Sequence, residues 1–387
     1  MNTRKRLAGA VLGVAAIMTA VAVVPARAAV PVSAWTQDGH GPGNTAYNPY
    51  ESALNLGTVG DLRLRWTATP RPGLEGCETT PEPPLVAGGR VIMFENGGVG
   101  AREVRTGRRL WLETGFSYLG KTLAVVDGLV IATETSCHSQ SDYEGTITAL
   151  DLGTGRPVWR SRQSGTVDKL VAGSGVLVTH GFCHVCDEDR NQVVAYRVSD
   201  GGRLWTRNSA DLAGEVVASA RVLLASTNGT FGTQAVSLRS GAVGWRSGRA
   251  WSALSSTPAG DRFLARGDAG FSAVDSRTGK VVWSVRSTVE SLSCDGRRVF
   301  AAGPGLAAYG VADGRRLWRR ALAEPGRPVR AGGLLYATGG RALAIVSPVS
   351  GGTAAPGRRF GAAVDHVVVA GGRLFTTDGR SIRAFAA

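Results

Sequence analysis

Beyond residue 60 the apolar positions of this chain come in short runs rather than at helical spacing. Val91-Ile92-Met93-Phe94, Leu129-Val130-Ile131-Ala132-Thr133, Val176-Leu177-Val178-Thr179 and Val299-Phe300-Ala301-Ala302 each follow a Gly-containing turn. Runs of this length between Gly-Gly and Asp-Gly signals read as strands joined by tight turns. A second, half-apolar run recurs downstream as Thr148-Ala149-Leu150-Asp151, Val194-Ala195-Tyr196-Arg197, Ser272-Ala273-Val274-Asp275 and Ala307-Ala308-Tyr309-Gly310. It leads into a six-residue phrase that occurs six times: Thr106 to Trp111, Thr154 to Trp159, Asp200 to Trp205, Ser240 to Trp245, Thr278 to Trp283 and Asp313 to Trp318. In each, a glycine supplies a turn conformation that costs other residues energy. The tryptophan four positions later supplies a large apolar surface.

Successive tryptophans of the phrase lie 48, 46, 40, 38 and 35 residues apart. That period suits one four-stranded propeller blade. Two further units are degenerate. Leu334 to Ala337, Leu343 to Val346 and the Gly351-Gly352 turn form a seventh blade with Ala355 where the tryptophan would stand. The last unit, Leu374 to Thr377 and Ile382 to Phe385, stops before an outer strand, whereas Leu62 to Trp66 is an outer-type strand with nothing before it. The two fragments complement each other, and joining them removes exposed sheet edges. The sequence therefore predicts an all-β, eight-bladed β-propeller of four-stranded antiparallel blades, closed by an N-terminal strand in the last blade. Seven blades result if the 350s region is a loop. The structural repeat residues are Trp66, Trp111, Trp159, Trp205, Trp245, Trp283 and Trp318.

The start of the chain has a different pattern. Arg4-Lys5-Arg6, an apolar run from Leu7 to Val24 and Ala26-Arg27-Ala28 match a secretory signal peptide cleaved after Ala28; a single membrane anchor is the alternative. The expected organisation is a signal peptide over 1–28, an N-terminal extension over 29–59 and one propeller domain over 60–387, with the mature chain secreted or extracytoplasmic and free of transmembrane segments. Cleavage lowers the formal charge from +14 to +10. The basic residues are spread over turns and strand ends without a dense aromatic-interleaved block, so no nucleic-acid partner is expected. The turn-rich segment from Trp35 to Thr45 precedes the first strand and could plug or cap the ring, and His40 within it reads as loop packing.

All five cysteines follow the signal segment: Cys77, Cys137, Cys183, Cys186 and Cys294. An oxidising compartment favours a short-range Cys183–Cys186 disulfide pinning a rim loop. His180, Cys183, His184 and Cys186 offer the N and S ligands of a metal site, with Cys137-His138 as a second half, and thiol exchange is a further alternative. Haem attachment is excluded because Asp187, not histidine, follows Cys186. Phosphate-cradling loops, His-Glu-x-x-His and serine elbows are absent. No catalytic residue is assigned.

The repeated strands, the Thr-Gly-x-x-x-Trp phrase and the opening Trp35, Gly41-x-Gly43-Asn44-Thr45 and Leu62-x-Leu64-x-Trp66 resemble the pyrroloquinoline-quinone-type (PQQ-like) propeller family from about Trp35 to Ala387. In character the chain is most similar to its non-enzymatic outer-membrane-assembly scaffolds. The resemblance to the family's quinone enzymes would imply a tryptophan floor, an adjacent-cysteine disulfide, calcium ligands and an aspartate base. No two cysteines here are adjacent. Asp127, Glu144, Asp187 and Asp261 are loose acidic candidates, and Trp251 is a candidate stacking ring. The expected function is a monomeric, exported, non-catalytic scaffold without cofactor, whose rim loops Gly73 to Pro84, Glu134 to Gly145 and Phe182 to Gln192 meet a protein or peptide. The alternatives are a pyrroloquinoline-quinone and calcium dependent alcohol or sugar dehydrogenase, and a carbohydrate-binding surface at Tyr47, Tyr50 and Tyr143.

Overall fold

The computed structural model describes residues 33–69, 82–95, 97–116, 119–135, 144–183 and 190–387. These form eight sheets arranged radially as an eight-bladed propeller. Blade 5 shows the plan: Ser252–Ser256 is the inner strand, followed outward by Arg262–Gly267, Gly270–Asp275 and Val281–Val285, each antiparallel to the one before. The inner strands of blades 1 to 8 are Leu85–Ala87, Leu119–Val126, Lys169–Gly173, Ala210–Leu212, Ser252–Ser256, Ser291–Cys294, Val329–Ala331 and His366–Ala370.

Blade 8 is built from both halves of the chain. Arg63–Ala68 pairs antiparallel with Ile382–Ala386, Trp66 opposite Ala384, and completes the sheet begun by His366–Ala370 and Arg373–Thr377. The degenerate 350s region is a blade strand, Thr353–Arg359, which decides for eight blades over seven. Blade 7 carries an extra inner strand, Tyr47–Asn48, parallel to Val329–Ala331. The signal segment and its cleavage site lie outside the described residues.

The repeated phrase acts between blades. Each tryptophan stands opposite a small residue of its own blade: Ala384, Ala101, Ala149, Ala195, Ala235, Ala273 and Ala308 pair with Trp66, Trp111, Trp159, Trp205, Trp245, Trp283 and Trp318. All seven alanines are fully buried, and the register shifts next to the pair, which turns the indole toward the following blade. There it lies on the phrase glycine of that blade. Gly107, Gly155, Gly201, Gly241, Gly279, Gly314 and Gly351 have φ between +65° and +74°. A Cβ on any of them would stand 2.5–2.8 Å from a ring atom of the preceding blade's tryptophan. The indole N–H then donates to a carbonyl three residues before the glycine, as in Trp205 to Leu238 and Trp283 to Val311, both 2.7 Å.

Seven of the eight blade interfaces carry this latch, and the eighth explains Ala355. A latch from blade 7 would need a turn between the third and outer strands of blade 8, but there the two strands come from opposite ends of the chain. The small Ala355 occupies the tryptophan position. Arg358 instead donates to the Leu62 carbonyl at 2.9 Å and lies over the Phe385 ring at 4.5 Å, with Phe360 edge-on to the same ring.

The geometry predicts an asymmetry. Gly279→Ala places a methyl against Trp245 at a left-handed φ and should cost about 1–3 kcal/mol, and Trp283→Phe, which takes away one of the two donors to the Val311 carbonyl and leaves Arg262 Nη1 at 2.6 Å, about 0.5–1.5 kcal/mol. Ala355→Trp should bring no gain, because no glycine turn receives it. Denaturant unfolding of the three variants checks this, and a stabilised Ala355→Trp would contradict the account.

Candidate functional site

The segment expected to plug the ring does so, and it touches every blade in order. Trp35 exchanges both backbone bonds with Val86 of blade 1. The Thr36 carbonyl accepts from the Val125 N–H of blade 2, and the Gln37 side chain makes a paired bond with the Ala172 backbone of blade 3 at 2.7 and 2.8 Å. The carbonyls of Pro42, Gly43, Thr45 and Ala46 accept from Val217, Ser256, Cys294 and Arg330 of blades 4 to 7. Asn48 donates to the Val369 carbonyl of blade 8 at 2.9 Å. Inner strands face the axis with an unpaired edge, whose polar groups are costly to leave unsatisfied. The segment from Trp35 to Asn48 satisfies that edge near the C-terminal ends of the strands, on the face that also holds the phrase turns.

The two faces of the ring therefore differ. On the plugged face the turns are short. On the opposite face lie the connections from each blade's second strand to its third, and from each outer strand to the next blade. The three long loops of the sequence are connections of that face; most of their residues lie outside the described ones.

Behind the plug is an axial cavity of about 170 Å³ lined by acidic side chains, Asp38, Glu82, Asp168 and Glu215, with Gln37 and Asn44. Glu82 and Asp168 stand just before inner strands. Glu215 reaches the axis because blade 4's inner strand breaks at Gly214, whose φ is +96° and where a Cβ would lie 1.9 Å from the Ala253 carbonyl oxygen. Burial alone would raise the Asp38 carboxyl, but the Arg327 guanidinium at 2.8 Å outweighs it and holds the group below the usual range. Burial, and then the Asp38 charge, push Glu82 up to about 8 and Glu215 to about 7. Burial holds His40 down to about 4; it sits edge-on to Trp35 with ring centroids 5.4 Å apart, in a packing role. Burial also lowers His366.

The cysteine-bearing rim has to be corrected. The expected disulfide is not found among the described residues: no disulfide bond joins any two of them, and Cys186, the expected partner of Cys183, lies outside them. Cys186 and His184 lie outside the described residues, as do Cys77, Cys137 and His138. Cys294 is a free thiol, fully buried in the blade 6 inner strand, and burial pushes it up to about 12. Cys183 is not a free thiol. His180 has its Nε2 3.3 Å from Asn191 Oδ1 and 3.5 Å from Asp211 Oδ1, while Lys169 pairs with Asp211 at 2.9 Å. Among the described residues no group of three or more His, Cys, Asp or Glu side chains is placed to hold a metal ion.

Other candidates are dispersed. Asp127 occupies a tight turn at φ +50° and Asp261 pairs with Arg262 at 3.4 Å, while Glu144 borders an undescribed loop and Asp187 and Tyr143 lie outside the described residues. Tyr47 sits in the plug strand beneath Arg330, and Tyr50 is exposed on the plugged face. Trp251 is buried and lines a side pocket at the loop-face end of blade 5, away from the axial cavity.

Comparison with known proteins gives a family. The profile described as outer membrane protein assembly factor BamB matches residues 60–161, 143–345 and 189–387. The chain belongs to the BamB family of PQQ-type propellers. BamB of Yersinia pestis is 26% identical over 162 residues, 38% of this chain and 36% of that protein, so the match spans about a third of that relative's length. Among solved structures, BamB from Moraxella catarrhalis superposes with a TM-score of 0.60 at 14% identity, covering 84% of this chain and 98% of that one. The quinohemoprotein alcohol dehydrogenase from Comamonas testosteroni gives 0.65 at 14% identity, covering 91% and 80%. At these identities the likeness is one of fold, shared by BamB scaffolds and quinone enzymes alike.

The described residues do not fit pyrroloquinoline quinone and calcium. The cavity bounded by described residues is about 170 Å³, short of the ~300 Å³ at which cofactor pockets begin. The stacking candidate is off the axis, and the axial carboxylates do not converge as a ligand set.

The raised glutamates predict a pH dependence. Folded Glu82 and Glu215 keep protons that unfolded glutamate, with its ordinary value of 4.5, has lost. Their contribution to stability is therefore complete below about 4.5 and is lost as pH rises through about 8. His40 works in the opposite sense, but only below 6.5. Melting temperature should thus fall as pH rises from about 6.5 to about 8, and Glu82→Gln should flatten that slope; an unchanged slope would contradict the assignment.

Proposed function

We propose that this BamB-family propeller is an exported, non-catalytic scaffold that binds a protein or peptide on the face opposite its plug. The observation that carries this reading is the asymmetry of the ring. The chain's own N-terminal segment occupies the axis on one face, and the strands that flank the three long connections end and begin on the other. Rigid blades with loops gathered at one end suit recognition, since the loops can change without disturbing the packing. The name of the matched relatives, outer membrane protein assembly factor, supports a partner that is itself a protein. Export is supported by the charged, apolar and small-residue regions over residues 1–28. Among the described residues no helix is long and apolar enough to cross a membrane.

Two measurements test the reading. Purified signal-free protein titrated with pyrroloquinoline quinone and calcium should show neither saturable cofactor absorbance nor alcohol- or sugar-dependent dye reduction; saturable binding with turnover would replace the scaffold with a dehydrogenase. A photo-crosslinking residue at Thr227, at the loop face of blade 4, should trap a discrete secreted protein, whereas one at Val158 on the exposed circumference should not. The reverse pattern would place the contact elsewhere.

A further inference from the structure

Seven of the nine tryptophans serve the blade latches, and Trp35 anchors the plug. Trp251 does neither. It precedes the blade 5 inner strand and forms one wall of a pocket of about 280 Å³ at the loop-face end of blade 5, lined by that blade and the connections on either side of it. Its ring is held in place: a Cβ on Gly267 would lie 2.8 Å from Cζ3, and its own backbone N–H donates to Thr233 Oγ1 at 2.8 Å. The side chain is only 6% exposed, and its indole N–H, unlike those of the latch tryptophans, donates to no atom of the described residues.

The other walls divide into an apolar interior and a charged mouth. Phe271 and Val285 continue the apolar surface, and the Ser272 and Ser284 hydroxyls bond each other at 2.7 Å. At the mouth, Arg249 lies over the Trp251 ring at 5.8 Å and Arg286 stands on the following connection. Both arginines are exposed, and neither guanidinium makes an ion pair. Asp268, on the turn between them, is exposed and pairs with neither.

From this we infer that the pocket at the loop-face end of blade 5 binds a peptide segment presenting an aliphatic side chain beside a carboxylate. The volume holds one large side chain with its backbone. The 6% exposure of Trp251 leaves no open platform for flat sugar stacking, but suits an inserted side chain. Two unpaired guanidiniums at the rim favour carboxylates, which arginine grips bidentately. The inference rests on the peptide-binding reading of this face and gives it a location.

The test follows the Trp251 indole resonance, assigned by its loss in Trp251→Phe, while full mature protein is titrated with acetyl-Asp-Leu-Asp-amide. A saturable shift is expected, weakened about tenfold with acetyl-Asn-Leu-Asn-amide, with acetyl-Asp-Ser-Asp-amide, and in Arg286→Ala, whose other indole signals report an intact fold. No saturable shift up to about 10 mM peptide, or equal shifts with all three peptides, would overturn the assignment. If Thr227 crosslinks form while the peptide does not bind, the pocket is wrong and the loop-face reading stands. If the peptide binds with no crosslink from Thr227, the pocket stands and the wider reading fails.

Discussion

The fit of an indole over a bare glycine backbone is the interaction on which this molecule is organised. A latch tryptophan needs a flat place on the neighbouring blade, and only glycine at φ near +70° offers one without a side chain. The same turn exposes the carbonyl that the indole N–H needs. Apolar area and a satisfied polar group are thus delivered together. Because the tryptophan of one blade meets the glycine of the next, the phrase sets the angle between blades as well as their internal packing. Repetition of one local solution closes the ring, and where the chain cannot supply the glycine turn, an alanine and an arginine stand in.

Closure by strands from both ends has a consequence for the axis. Arg63–Ala68 is the outer strand of blade 8, and the residues that precede it come to it from the axis. They run around the inner strands and satisfy edges that would otherwise face the channel. The plug brings one carboxylate, Asp38, to an axis where Glu82, Asp168 and Glu215 of the blades also stand. Arg327 balances one of them, Asp38, and Glu82 and Glu215 respond by holding protons.

The latch was legible in sequence because it couples two rare requirements, a positive φ and a large ring, at fixed spacing. Closure was legible because an orphan outer strand at Leu62 to Trp66 matched an incomplete blade at the other end. That a tryptophan serves the following blade, and that Ala355 marks a missing turn, needs the spatial order of blades. The plug's path was hidden because carbonyls make most of its bonds, as at Pro42, Gly43, Thr45 and Ala46. The axial acids were missed because inner strands share no phrase to align. Placing Glu82 and Asp168 just before their inner strands could have revealed them. Trp251 was noticed for stacking at the axis, but lies at the loop-face end of blade 5.

The proposed division of this BamB-family ring, plugged on one face and binding on the other, depends on the plug being part of the folded ring. Hydrogen exchange at the amides of Val125, Val217, Ser256, Cys294 and Arg330, which donate to plug carbonyls, tests this most directly. The account predicts that these amides exchange as slowly as the strand interiors and only with global unfolding. Rapid exchange in the native protein, with the strands still protected, would show that the segment detaches and the axis is open, contradicting it.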